Sequence, residues 1–212
     1  MHTLITDLCY VFLLVNSILF TYSFIRNYTS KVLLYLFLYT AVMMLNQLVI
    51  GYLRSNGVNN LWLSHVYFLV QFITISLAFR QLQTNLFIRK LNSVLLITIP
   101  VTVGAILAIT PGAFKNFNIP ETLLCSIPLI AYCVHHLIQA IDGNQSKLIL
   151  FSIGLFVYLV SSTLVFVSAK IIVDDYLGQG FITQLWKINN IIYLSYQILI
   201  VIEWYKNFRR TS

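Results

Sequence analysis

Charge is scarce in this chain. Only 9% of its 212 residues are Asp, Glu, Lys or Arg, and only 6 of those are acidic, where soluble domains carry about 25% charged residues. With 59% of the residues hydrophobic, so few charges cannot cover a water-exposed surface, and a soluble fold is excluded. The net charge of +7 is scattered between apolar stretches and not gathered in one patch, so nucleic acid is excluded as a partner. Cysteine is also rare: Cys9, Cys125 and Cys133 have no second ligand at metal spacing and read as small apolar packers. The four histidines are equally unsuited to a metal. His2 is terminal, and the adjacent His135 and His136 point about 100° apart on a helix and read as interfacial residues. No cofactor is expected. The N-terminus lacks a basic region and a small-x-small cleavage site, so the first apolar stretch reads as a retained helix.

What the chain has is length in apolar runs. Seven of them, roughly 4–25, 32–53, 61–79, 91–110, 122–141, 148–169 and 181–202, fill nearly all of it. A bilayer core of about 30 Å is crossed by about 20 apolar residues in helix. The expected fold is therefore all-α: a polytopic, integral membrane seven-helix bundle in a single transmembrane domain, with the lipid bilayer as its constant partner, in a plasma or bacterial inner membrane.

Arg26, Lys31, Arg80, Arg89, Lys90, Lys147, Lys206, Arg209 and Arg210 fall on one side of these spans, and Arg54, Lys115 and Lys170 on the other. The positive-inside rule then puts the N-terminus outside and the C-terminus in the cytoplasm. Asp7, Glu121, Asp174 and Asp175 fall outside. Trp62 and Trp186 lie near the outer boundary and Trp204 near the inner one. Asn144-Gln145-Ser146 matches a glycosylation pattern, but on the cytoplasmic side.

The chain also resembles itself. At an offset of 116 residues, Thr6, Leu8 and Cys9 fall on Thr122, Leu124 and Cys125, Leu13 on Leu129, and Ser30-Lys31 on Ser146-Lys147. With small insertions Leu61-Trp62 meets Leu185-Trp186, and Tyr67 and Gln71 meet Tyr193 and Gln197. The expected organisation is a 3+1+3 parallel internal repeat: repeat 1 over about 4–80, a linker helix over about 90–110 and repeat 2 over about 121–207. Parallel repeats about an axis along the membrane normal occur in transporters, the sugar-efflux SWEET family among them. The comparison is one of architecture, because the Pro-Gln dipeptide of that wider group is absent.

Polar side chains inside a membrane are costly and mark interior faces or functional sites. Asp7, Tyr10, Ser17 and Thr21 share one face of span 1. Tyr67, Gln71 and Thr74 share a face of span 3, and Asn190, Tyr193 and Gln197 a face of span 7. Repeat symmetry sets Gln71 and Gln197 across the axis from each other near mid-depth. Tyr67 and Tyr193 fall one turn further out, with His65, Lys187, Asn189 and Asn190 above them. This predicts a polar cavity between spans 3 and 7 that is a candidate ligand-binding site. Lys187 is expected to reach outward to headgroups, to pair with Asp7 or Glu121, or to hold an anionic ligand.

The function these features suit best is a small carrier for a neutral or weakly anionic solute. A seven-helix sensor or regulatory subunit acting through a cytoplasmic or membrane protein partner is the alternative, and a structural subunit of a membrane complex the third. An enzyme is disfavoured: Asp7 with His65 is the only outer pair suited to acid–base work, and no buried nucleophile has a base at its depth. The charge pattern makes a direct prediction. A reporter phosphatase fused after Ser212 will be inactive while a fluorescent protein fused there will fold; an active phosphatase would invert the topology.

Overall fold

The computed structural model describes residues 2–110, 112, 114, 118–143, 147–174 and 179–209, with residues 2–3, 169–174 and 179–182 described in backbone only. Lys115, Asp175, Arg210, the Asn144-Gln145-Ser146 pattern and the Ser146 repeat match lie outside the described residues.

Seven helices follow in order: α1 (His2–Arg26), α2 (Lys31–Ser55), α3 (Leu63–Leu82), α4 (Leu86–Ile109), α5 (Ile119–Ile141), α6 (Ile149–Asp174) and α7 (Gln179–Asn207). Each contains a stretch long and apolar enough to cross a membrane. Seven such helices suit a multi-pass membrane protein, and hydropathy alone located every one of them. Caps and turns moved the boundaries. α4 starts five residues before the apolar run because the Asn85 side chain accepts from the Phe87 and Ile88 N–H groups, drawing Arg89 and Lys90 into the helix. Ser30 caps α2 in the same way through the Leu33 N–H. α4 and α5 both run through an internal proline, Pro100 and Pro128.

Six of the helices close a ring. α1 packs on α2, α2 on α3, α3 on α5, α5 on α6, α6 on α7, and α7 returns to α1; α4 lies outside, against α3 and α5. The burial of each helix follows from that placement. α3 has 61% of its most apolar window buried and α4 only 17%, so α4 faces lipid on most of its circumference. The apolar core fills the ring with Leu13, Phe20, Leu36, Met43, Phe72, Phe79, Leu129 and Phe151.

The expected polar face of α1 is not the one turned inward. Cys9, Leu13, Asn16, Phe20 and Ser23 form the buried stripe, while Asp7 is exposed and the Thr21 hydroxyl donates back to the Ser17 carbonyl at 2.6 Å. A self-satisfied hydroxyl can face lipid at little cost, so it carries no information about the interior.

α6 and α7 pack tightly at Gly154, where a Cβ would stand 2.9 Å from Tyr196 Cδ2 and 3.0 Å from Leu199 Cδ1. This is small-residue packing of the kind membrane helices use. Gly154→Ala will lower thermal stability by about 1–3 kcal/mol. Gly104→Ala, where a Cβ meets nothing within 4 Å, will not. Equal melting of the two variants would refute the tight contact.

Candidate functional site

Five tyrosines gather at the centre of the ring: Tyr39 on α2, Tyr67 on α3, Tyr158 on α6, and Tyr193 and Tyr196 on α7. The Tyr67 and Tyr158 hydroxyls are 2.8 Å apart, and the Tyr196 hydroxyl donates to that of Tyr39 at 3.2 Å. Neither bond joins ring neighbours. One runs from α3 to α6 and the other from α7 to α2, so both cross the interior. Tyr158 stacks on Tyr196 with ring centroids 5.5 Å apart, and Tyr193 tilts against Tyr158 at 5.1 Å. Large amphipathic rings serve here because they fill the lumen while four of the five hydroxyls pair with one another.

Gln71 and Gln197 lie with this layer and are both buried. No hydrogen bond joins the two. Gln71 sits with Tyr39 and Tyr67. Gln197 is tied to α1, where Asn16 Nδ2 donates to its side-chain oxygen at 2.8 Å and to its carbonyl at 3.0 Å.

Two adjoining cavities, of about 550 and 310 Å³, lie on the side of this layer nearer the start of α1. Gln47, Ile50, Asn60, Trp186, Asn190 and Tyr193 line both. The larger extends between α1, α2 and α7 to Thr6, Tyr10 and Arg54; the smaller reaches Tyr67, Tyr158 and Asn189 between α2, α3, α6 and α7. Among the described residues, Arg54 is the only charged one on either wall. Asn189 is 6% exposed, and its Oδ1 has no protein partner; nor does the Tyr193 hydroxyl, which also lines the cavities.

Of the residues singled out from sequence, Tyr67, Asn189, Asn190 and Tyr193 line the cavities, and Gln71 and Gln197 sit with the tyrosine layer. His65 and Lys187 line neither cavity. His65 Nδ1 is hydrogen-bonded to Glu121 at the α3–α5 joint. That contact leaves neither the Asp7–His65 acid–base pairing nor the Lys187–Glu121 alternative formed. The reason is topological: α3 and α5 are ring neighbours, whereas Asp7 is exposed on α1. Lys187 is half-buried and forms no ion pair with a described carboxylate. His136 is not interfacial. It is fully buried with Nδ1 3.0 Å from the Ser152 hydroxyl, because α5 turns this face onto α6.

Tyr39, Asn16 and Tyr158 were missed as site residues. Asn16 carried a usable signal: it falls in the stripe Cys9, Leu13, Asn16, Phe20, Ser23, spaced by alternating fours and threes. Tyr39 carried none, since a tyrosine in an apolar run reads equally as lipid-facing. The three cysteines are buried, as expected of packers.

The Asn16–Gln197 bond is accessible to a double-mutant cycle. Gln197→Leu leaves the Asn16 amide only the residue-197 carbonyl as a partner and will cost about 1 kcal/mol, and adding Asn16→Leu will recover part of that loss. Strictly additive effects on unfolding would show that the bond contributes nothing.

Compared with protein-family models, curated proteins and solved structures, the chain shows no match, so its functional reading rests on its own residues.

Proposed function

We propose that the chain is a small membrane carrier for a neutral or weakly anionic solute, which binds in the cavities above the tyrosine layer. The observation that carries this reading is the layer's position. It floors the two cavities between helices 2 and 3 on one side and helices 6 and 7 on the other, by two hydrogen bonds that cross the axis. Solute sites in carriers lie at repeat interfaces near mid-depth.

Several features support a 3+1+3 parallel repeat. The ring order α1-α2-α3-α5-α6-α7 maps onto itself when α1, α2 and α3 are exchanged for α5, α6 and α7. Every described buried position of α1, residues 9, 13, 16, 20 and 23, falls at the 116-residue offset on a buried position of α5: 125, 129, 132, 136 and 139. The same exchange maps the helix pair α3–α6 onto α7–α2, each joined by one tyrosine bond, although α7 uses Tyr196 and not Tyr193, the repeat equivalent of Tyr67. Two such bonds across an axis are a gate that each half can release by a small rotation.

The walls fit such a solute. Trp186 and the tyrosines offer flat apolar faces, Asn189 and Tyr193 offer unused hydrogen-bonding atoms, and Arg54 supplies one positive charge at the wider cavity. In this reading the cavities open to the outside, the orientation the nine cations at the opposite ends of the helices favour.

A sensor is the second reading, favoured by the closure of the cavities on one side only. Labelling separates the two. With the native cysteines replaced, single cysteines at Gln71 and Gln197 will react with an impermeant thiol reagent from both sides if the gate opens alternately. Reaction from outside alone would replace the carrier by a sensor, and no reaction from either side would remove the cavity function altogether.

A further inference from the structure

His65 and Glu121 are 3% and 1% exposed, and they form the only ion pair among the described residues. They occupy the first turns of α3 and α5, the joint at which the two groups of three helices meet. His65 Nε2 and Glu121 Oε1 have no protein partner. An ionisable pair in a membrane interior is costly and is retained where it acts.

The described surroundings are apolar. Phe114 stacks on the imidazole with centroids 5.7 Å apart, and Trp62 stacks on Phe114 at 6.4 Å. Of the titratable groups facing the pair, Cys125 on α5 lies one turn further in and interacts with Glu121; the described parts of α3 and α4 bring no charge to it. Lys115 is outside the described residues.

Proton counting defines two states. With the Glu121 carboxyl protonated and donating to Nδ1, and the imidazole proton on Nε2, the pair is neutral. Release of one proton to bulk water leaves a net charge of −1 in an apolar pocket, and a buried uncompensated charge costs several kcal/mol. The cheapest relief is to part α3 from α5 and hydrate the carboxylate. The equivalent joint between α7 and α1 cannot respond in this way. It is closed at the same end by neutral contacts, Asn190 Nδ2 to Thr6 Oγ1 at 3.4 Å and Cys9 Sγ to the Asn190 carbonyl at 3.5 Å. The two joints therefore differ in chemistry while matching in place.

We propose that His65 and Glu121 form a proton-binding site that clamps α3 to α5 when protonated and releases them when it gives up a proton. His65 lies two residues before Tyr67, so movement of this turn of α3 reaches the Tyr67–Tyr158 bond directly. That last step rests on the carrier reading and would make the carrier proton-coupled; the proton site itself does not depend on it.

The test uses the full chain in lipid nanodiscs without solute. pH-difference infrared spectra will show a protonated-carboxyl band that is lost in Glu121→Gln, kept in Glu203→Gln and shifted in His65→Gln. In a variant free of native cysteines, spin labels at the exposed positions Val66 on α3 and Ile127 on α5 will move apart as pH rises, and Glu121→Gln will hold them at the low-pH separation. A titrating band that survives Glu121→Gln, or a label distance independent of pH in the unsubstituted background, would overturn the proposal. If these signals appear but a pH gradient drives no solute into liposomes, the proton site stands and the carrier reading falls.

Discussion

The joint between α1 and α7 closes the ring, and no loop holds it. The first and last helices meet only through side chains: Asn16 on Gln197 at the level of the tyrosine layer, Trp204 Nε1 donating to the Ser23 hydroxyl at 2.6 Å near the other end, and the Asn190 contacts near the start of α1. A bilayer offers no water to substitute for a lost partner, and apolar helices have no hydrophobic reason to prefer each other over lipid. Polar groups placed at three depths therefore fix both which helices meet and in what register. The tyrosine layer needs that closure, because Tyr196 reaches Tyr39 only when α7 lies in its place in the ring.

The rest of the core divides the work by position. Apolar side chains fill the ring away from the layer, and Gly154 lets α7 approach α6 closely enough for Tyr158 and Tyr196 to stack. α4 contributes one interior bond, Asn92 Nδ2 to the Ser76 carbonyl at 3.0 Å, and otherwise lies outside the ring against α3 and α5.

The number of helices and their approximate places were legible because apolar length is a strong signal that needs no tertiary context. Tyr67, Asn189, Asn190 and Tyr193 were legible as cavity residues because polar atoms at helical spacing, in spans that match under the offset, mark an interior face. What was not legible depends on partners far away in the chain. Glu121 looked like an outer-loop acid, and its role is set by His65, 56 residues away. His136 looked interfacial because two adjacent histidines suggest a polar boundary, yet only one of them turns onto Ser152. On α1 the sequence offered two faces with comparable polarity. Burial chose the one with fewer hydroxyls, since a hydroxyl satisfies itself on its own helix backbone more fully than the larger amide, with its separate donor and acceptor, does.

Glu203 shows how the order of synthesis enters such a fold. Its carboxylate, 1% exposed near the end of α7, accepts from the Leu148, Leu150 and Phe151 N–H groups at the opening of α6, and Asn207 donates to it from the next turn. Leu148 stands there with φ at +63°, a backbone conformation that costs a leucine about 1–3 kcal/mol unless its neighbours hold it. The start of α6 is thus made early on the ribosome and finished only when a residue more than fifty positions later arrives. Until then three amides and a strained turn stay uncapped at the membrane surface, and a chain cut short before α7 would leave α6 without its first anchored turn.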